Sequence, residues 1–369
     1  MARMPGNFEF QILNSELFSR PFFTRWQVVI QLNSKFKIRN SKLHSLLCYH
    51  IAMLSHRLIF GPIMIGILLL TFFLDSKLDQ VDITGTILQD LFQGRTYLPA
   101  GLLLLGAFFV LIILGAGELC RIFAAKGIVA SRSIVTLAGI TGCLMMFAIP
   151  QAANAQMTMG VFSTLIALLF MLSLVKHSWI THKTEGAIAA AAVTMFALIY
   201  MGLLPGFLVA IRRWYSPWVV AAVLLIVKSC DIGAYFSGRA FGKHKLIPWL
   251  SPGKTWEGLF GGVLFSGLVA LLLAYLSNHF EVAGIYKTID GLRTFMPNDF
   301  HLPRTFVAGL LMGAVGQFGD LTASLFKRDA GIKDSGNTIP GFGGVLDVVD
   351  SPVIVAPLAY WLLWFGTGL

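Results

Sequence analysis

The densest chemistry in the chain lies between Gly319 and Asp350. Five aspartates (Asp320, Asp329, Asp334, Asp347 and Asp350) alternate there with Lys327, Arg328 and Lys333, and glycine-rich turns separate them. Gln317, Asp320, Ser324, Lys327 and Arg328 follow one another at spacings of three, four, three and one, close to one helical stripe. Asp347 and Asp350 are three apart, and Asp350-Ser351-Pro352 reads as a helix start with Asp or Ser as cap and Pro in the first turn. Asp320 would then end one helix while Asp347 and Asp350 flank the entrance of the next. Carboxylates from two helices that meet at a surface cavity suit a hard divalent cation with oxygen ligands, and Mg²⁺ is the expected one. Lys327, Arg328 and Lys333 would hold phosphates that the metal also touches. Pro340-Gly341 and Gly343-Gly344 would let the loop fold back on the site. The competing reading is a charged surface loop held by ion pairs. Asp329 falls off the stripe and is expected to be solvated.

A second constellation spans residues 228–258. Lys228, Asp231 and Tyr235 lie on one helical face, which carries the apolar run 216–227 into a polar zone. A charge at mid-membrane costs about 2.5–3.5 kcal/mol on insertion scales, so such residues usually line a cavity. A plain Lys228–Asp231 ion pair ending a span is the alternative. Beyond it, Gly238, Gly242 and Gly253 are interleaved with Arg239, Lys243, Lys245 and Lys254. Glycine lets backbone N–H groups approach an anion, and lysine neutralises it. Ser251-Pro252 reads as a turn or cap before a helix carrying Lys254 and Glu257. The Walker A spacing is absent, and His244 is expected to be a surface residue.

These residues must be positioned by membrane helices. The chain has 369 residues, 56% hydrophobic and 12% charged, against about 25% charged in a soluble domain. Nine spans are expected from apolar length, near 58–74, 98–116, 134–150, 157–175, 186–210, 216–230, 258–276, 304–322 and 352–368. The expected fold is therefore an all-α, polytopic integral membrane protein. Residues 1–57 form a basic N-terminal segment, and 58–369 form the membrane-embedded domain that carries motifs 228–258 and 319–351. Of the net charge of +10, eight Lys/Arg against two Glu fall up to and including Arg57. That excess suits a positive-inside flank or anionic lipid rather than nucleic acid, for which no motif is present.

Loop charge points to a cytoplasmic N-terminus, with both motif-bearing loops on the cytoplasmic side. Arg212-Arg213 is the exception, since the scheme puts it outside. Small residues such as Gly258, Gly261, Gly262, Gly267 and the Ala run 187–192 should permit close helix packing. Residues 46–54 are weakly amphipathic and could lie on the membrane. Cys48, Cys120, Cys143 and Cys230 form no CxxC, so neither disulfides nor a zinc site is expected, and no cleavable signal is expected either.

With both constellations in view, the chain resembles the phosphatidate cytidylyltransferase (CDP-diacylglycerol synthase) family. The family signature S-x-x-K-R-x4-K-D-x-G-x-x-x-P-G-H-G-G-x-x-D-R-x-D is met by Ser324, Lys327, Arg328, Lys333, Asp334, Gly336, Pro340, Gly341, Gly343, Gly344, Asp347 and Asp350. Gly319-Asp320 precedes it in register. The upstream run Asp231, Gly233-Ala234-Tyr235, Gly238-Arg239, Phe241-Gly242-Lys243, Ser251-Pro252 and Lys254-Thr255-Trp256-Glu257-Gly258 agrees too. Two positions depart: Phe342 stands where the family has His, and Val348 where it has Arg. The resemblance implies a cavity on the cytoplasmic side with Asp320 and Asp347 as metal ligands.

The reaction it implies is transfer of CMP from CTP to phosphatidate, with pyrophosphate released. Lys327, Arg328, Lys333, Asp334 and Asp350 would serve catalysis. Asp231, Tyr235, Lys243, Ser251, Lys254, Thr255 and Glu257 would face the nucleotide, and a second cation beside Mg²⁺ stays open. The lipid phosphate is itself the nucleophile, so no Ser or Cys nucleophile is required. Other readings are a related enzyme acting on another lipid phosphate, an inactive lipid-binding paralogue, and a transporter with the aspartates as its ion site. Transporters place ionisable groups near the midplane, often in repeated halves, and no repeat is visible here. The expected setting is the bilayer of a bacterial cytoplasmic membrane, and a homodimer is an open possibility.

Overall fold

The computed structural model describes residues 41–92, 96–149, 154–289 and 292–367, and the contacts below all fall within the unit Phe60–Leu369. Most of the basic segment 1–57, and the side chain of Cys48, lie outside the described residues. The helices are α1 (Ser41–Leu78), a short α2 (Ile87–Leu91), α3 (Leu102–Ala124), α4 (Arg132–Ala148) and α5 (Ala155–Thr181). Then come α6 (Ala187–Trp214), α7 (Pro217–Phe241), α8 (Trp256–Phe280), α9 (Leu302–Asp329) and α10 (Val345–Thr367). Among the described residues eight helices are long and apolar enough to cross a bilayer, and α4, with Arg132–Ala148, is a shorter apolar ninth. Each expected span has its helix. Residues 46–54 fall within α1. Two antiparallel hairpins complete the chain: β1 (Lys245–Ile247) with β2 (Ser251–Thr255), and β3 (Gly284–Ile289) with β4 (Leu292–Pro297).

Small residues bring the helices together. A Cβ on Gly233 of α7 would run into Phe265 and the Gly262 backbone of α8, and one on Gly309 of α9 would run into Gly267 and Ala270 of α8. The middle turn of α6, Leu198–Leu203, is π-helical. Its Gly202 packs on the Gly139 and Gly142 backbones of α4 so closely that any side chain would overlap them. Lipid offers helices no hydrophobic drive to associate, so backbone approach of this kind supplies the packing.

Arg212-Arg213 ceases to be an anomaly once the contacts are known. Arg212 is fully buried, and its Nε and Nη2 each lie 2.5 Å from a carboxylate, Asp75 and Asp79 respectively. Asp75 Oδ1 also accepts from the backbone N–H groups of Leu103 (3.1 Å) and Leu104 (3.4 Å) at the start of α3. The arginine is therefore neutralised and does not act as a free loop charge. Arg213 is buried as well, with its guanidinium 4.5 Å from the Phe147 ring centroid. The ends of α1 and α6 thus share one face with Ser216, which bonds Gly284 of β3. On the opposite face Lys126 pairs with Asp329 at 2.9 Å, and His177 joins Val129 to Glu185 through their carbonyls. The loops after α3, α5 and α9 therefore lie together on the face opposite Arg212.

Removing one member of a buried ionic cluster leaves the others charged and unpaired. Arg212→Met should lower stability by about 3–5 kcal/mol, read as a drop in the thermal midpoint of purified protein in detergent. Adding Asp75→Asn and Asp79→Asn should return part of the loss. A wild-type midpoint for Arg212→Met alone would refute this account of the cluster.

Candidate active site

A cleft of about 410 Å³ opens where α7, α8 and α9 meet beneath the β1–β2 hairpin, lined by Asp231, Tyr235, Arg239, Lys254, Gln317 and Asp320 among others. Its polar groups form one chain. Lys254 Nζ lies 2.6 Å from Asp320 Oδ2 and donates to Gln317 Oε1 at 2.9 Å. Gln317 Nε2 donates to Asp231 Oδ1 at 2.9 Å, and Lys228 Nζ stands 3.6 Å from Asp231 Oδ2. The Lys228–Asp231 pair is thus present, but it does not end the span. Helix α7 runs on to Phe241, ten residues or about 15 Å further along its axis. Asp231 therefore sits deep in the cleft, while Arg239 and Leu246 line it near the end of the helix.

A second cluster lies on α9 and α10. Lys327 Nζ is 2.7 Å from Asp347 Oδ1. Asp347 Oδ2 accepts from the N–H groups of Ser335 (2.9 Å) and Gly344 (2.8 Å) and from the Ser335 hydroxyl (3.0 Å). Gly343 takes a left-handed φ of 98°, and a Cβ there would sit 2.8 Å from Asp347 Oδ2. Glycine is required at that turn for both reasons. Beside the pair is a small cavity of about 60 Å³, bordered by Phe196, Tyr200 and Phe326. Tyr200 stacks on Phe196 at 5.3 Å and meets Phe326 edge-on at 5.8 Å. Asp350 is buried, and its Oδ1 accepts from Ser351 N at 2.7 Å. The charge of Asp320 is felt at both Asp231 and Asp350.

The remaining candidates are placed more loosely. Arg328, Lys333 and Asp334 are exposed at the end of α9 and in the loop after it. Tyr235 is exposed on the cleft wall, and its hydroxyl accepts from Arg239 Nη1 at 3.1 Å. Thr255 caps α8, its hydroxyl accepting from Gly258 N at 3.1 Å. Ser251 is half-buried in β2. Glu257 accepts from the Lys243 and His244 N–H groups and lies 2.6 Å from His244 Nδ1, so it latches the start of the hairpin. Lys243, Ser251 and Glu257 do not line the cleft. Asp329 is exposed, as expected, yet paired with Lys126. Among the described residues no group of three or more His, Cys, Asp and Glu side chains is gathered closely enough to cage a metal unaided.

Two expectations are corrected. Ser251-Pro252 does not open a helix carrying Lys254: residues Ser251–Thr255 pair with β1 as a strand, and α8 starts only at Trp256 with Thr255 as its cap. The last helix starts at Val345, five residues before Asp350-Ser351-Pro352. The reason is Glu118, a fully buried acid on α3 that the motif reading missed. Its Oε1 accepts from Val345 N (2.9 Å) and Thr338 Oγ1 (2.5 Å), and its Oε2 from Leu346 N (3.0 Å) and Ser335 Oγ (2.9 Å). A carboxylate from another helix thus satisfies the Val345 and Leu346 N–H groups at the start of α10, while Asp347 takes the Gly344 N–H locally. A lone acid inside the apolar run 102–124 was the available signal, since an intramembrane ionisable residue usually has a specific partner. Gln317 also does more than its place on the stripe suggested, bridging two charged residues.

Fold and site together define a polytopic helical membrane protein whose recessed, charged cleft suits phosphate groups. Residues 82–365 match the cytidylyltransferase family, and the chain belongs to that family. It is 34% identical over 272 residues to the phosphatidate cytidylyltransferase of Pseudomonas aeruginosa, covering 71% of this chain and 90% of that one. The Bacillus subtilis phosphatidate cytidylyltransferase is 32% identical over 277 residues, covering 71% and 95%. The protein of the same name from Haemophilus influenzae is 40% identical over a shorter stretch of 152 residues, 41% of this chain and 48% of its own.

Glu118 holds the 330–344 loop through hydrogen bonds to a buried charged group. Deleting its carboxylate as Glu118→Ala should cost about 3 kcal/mol or more in local stability. Tryptic cleavage at exposed Lys333, which requires local opening, should then accelerate about a hundredfold. An unchanged cleavage rate would remove Glu118 from this role.

Proposed function

We propose that the chain transfers CMP from CTP to phosphatidate, forming CDP-diacylglycerol and releasing pyrophosphate. The observation that carries the reading is the Lys254–Asp320 pair, joined through Gln317 to Asp231 in the recessed cleft. An oxygen of the lipid phosphate attacks the α-phosphorus of CTP. The bond from that phosphorus to the bridging oxygen breaks, and its electron pair leaves with pyrophosphate. Catalysis of this kind is positioning plus charge neutralisation. Lys254 and Arg239 face the phosphates of the nucleotide from the cleft. Lys327, with Arg328 and Lys333 brought in by the loop, clamps the lipid phosphate or the leaving group. Asp231, Tyr235 and Thr255 shape the nucleotide side of the cleft, while Lys243, Ser251, Glu257 and Asp334 act through the surrounding loops.

The donor set fits Mg²⁺. Asp320 and Asp347, with Asp350 near Asp320, offer oxygen ligands only, and each of the first two now meets a lysine ammonium, as a carboxylate with strong attraction for a cation does. Asp320 and Asp347 would hold the ion. Bound there, it would polarise the phosphoryl oxygens and offset the charge of the departing pyrophosphate. The cleft and the N-terminus would face the cytoplasm of a bacterium, in keeping with loop charge and with the bacterial relatives.

Purified protein given labelled CTP, phosphatidate and Mg²⁺ should produce a labelled lipid, and EDTA should stop it reversibly. Asp320→Asn should lower kcat by about 10²–10³ or more. Wild type producing no labelled lipid from any of several lipid phosphates would end the enzymatic reading, and near-normal turnover of Asp320→Asn would remove that residue from the site.

A second reading keeps the chemistry and changes the acceptor to another lipid phosphate, and Phe342 favours it. The side chain is 38% exposed in the signature loop, where the family has a histidine. Phe342→His should shift the ratio of kcat/KM values between phosphatidate and other lipid phosphates. An unaltered ratio would exclude this position from acceptor choice.

A further inference from the structure

The stretch from Ile232 to Trp256 contains four Lys/Arg residues and no Asp or Glu. Its hairpin follows directly on membrane-spanning α7 and leads directly into membrane-spanning α8, so it lies at the level of the lipid headgroups. The turn at its tip runs from Ile247 to Leu250, closed by a Leu250 N–H to Ile247 carbonyl bond of 3.2 Å with Pro248 at the second position. Trp249 therefore projects from the tip and is 75% exposed, while Leu250 beside it is buried and anchors the turn. Lys243 and Lys245 are exposed on the same hairpin. Phe241 ends α7, and Trp256 starts α8 stacked on Phe260 at 6.2 Å, all three exposed. Exposed aromatics at the ends of two spans mark an interfacial belt. Leu246, between the two lysines and the tip, lines the cleft.

We propose that this hairpin docks on anionic headgroups of the bilayer and gathers phosphate-bearing lipid at the mouth of the cleft. Trp249 seats in the interface and Lys245 and Lys243 attract the charge, at about a fivefold gain in local lipid for each basic residue. The occupant is a lipid surface rather than a soluble anion, because the basic groups share the hairpin with an indole left exposed among the described residues. The gathering function itself does not depend on the reaction. Its benefit to catalysis rests on the reading above.

The test uses the full chain in nanodiscs, with brominated phosphatidylglycerol or the same fraction of brominated phosphatidylcholine as quencher. The difference between wild type and Trp249→Phe isolates the signal of that tryptophan. It should be quenched at least twofold more by the anionic lipid, Lys245→Gln should lessen the excess, and high salt should abolish it. Equal quenching by both lipids, or none attributable to Trp249, would overturn the proposal. Where turnover is measurable, Lys245→Gln should raise the KM for phosphatidate about fivefold and leave the KM for CTP unchanged. Equal shifts in both constants would also overturn it. Because the quenching arm needs no turnover, a chain that makes no labelled lipid still decides this question.

Discussion

A carboxylate held within the thickness of a bilayer must be met by fixed donors or by a cation, because water is not there to solvate it. Much of this molecule follows from that constraint. At one face Asp75 and Asp79 are closed over by Arg212, with all three side chains at most 2% exposed. At the other face Asp320 and Lys254 pair just as tightly, yet their side chains keep 32% and 20% exposure. The first cluster is sealed and serves the fold. The second can exchange its lysine for another partner, and that is what binding a phosphate or a cation requires.

Glu118 lies between these cases. It is as buried as Arg212, but its four donors belong to the loop and helix start that carry Ser335 and Asp347. The Ser335 hydroxyl lies within hydrogen-bond distance of both Glu118 and Asp347. A structural acid on α3 therefore reaches the candidate site through one hydroxyl, and the geometry of the signature loop is set from outside that loop.

The spans were legible because apolar length has few other meanings, and the two charged constellations because so apolar a chain concentrates charge for a reason. What could not be read were pairings across long sequence separations. Glu118 meets partners 217 to 228 positions away, and no local pattern marks Val345 as a helix start when its cap comes from α3. Arg212 looked like a violation of the loop-charge rule because its two aspartates lie 133 and 137 residues earlier. The β1–β2 hairpin was hidden by its brevity, since three- and five-residue strands leave little periodicity to see. Within the constellations, Asp231 and Lys254 both line the cleft, but spacing could not tell that Glu257 turns back to hold His244.

The two departures from the family signature carry unequal weight. The turn that holds Phe342 is made by backbone: Ile339 and Gly343 bond each other in both directions, and Phe342 N–H closes on the Ile339 carbonyl at 3.1 Å. The side chain at 342 is not needed for that shape, so exchanging His for Phe leaves the scaffold intact and changes only what the loop presents. Val348 is half-buried beside Asp347, where an arginine would add a positive charge. Here Lys327 already meets Asp347 at 2.7 Å, and the charge of Lys228 reaches Asp350. Positive charge beside these aspartates is thus provided from neighbouring helices, whereas position 342 is a place where the loop presents a different side chain on an unchanged backbone turn.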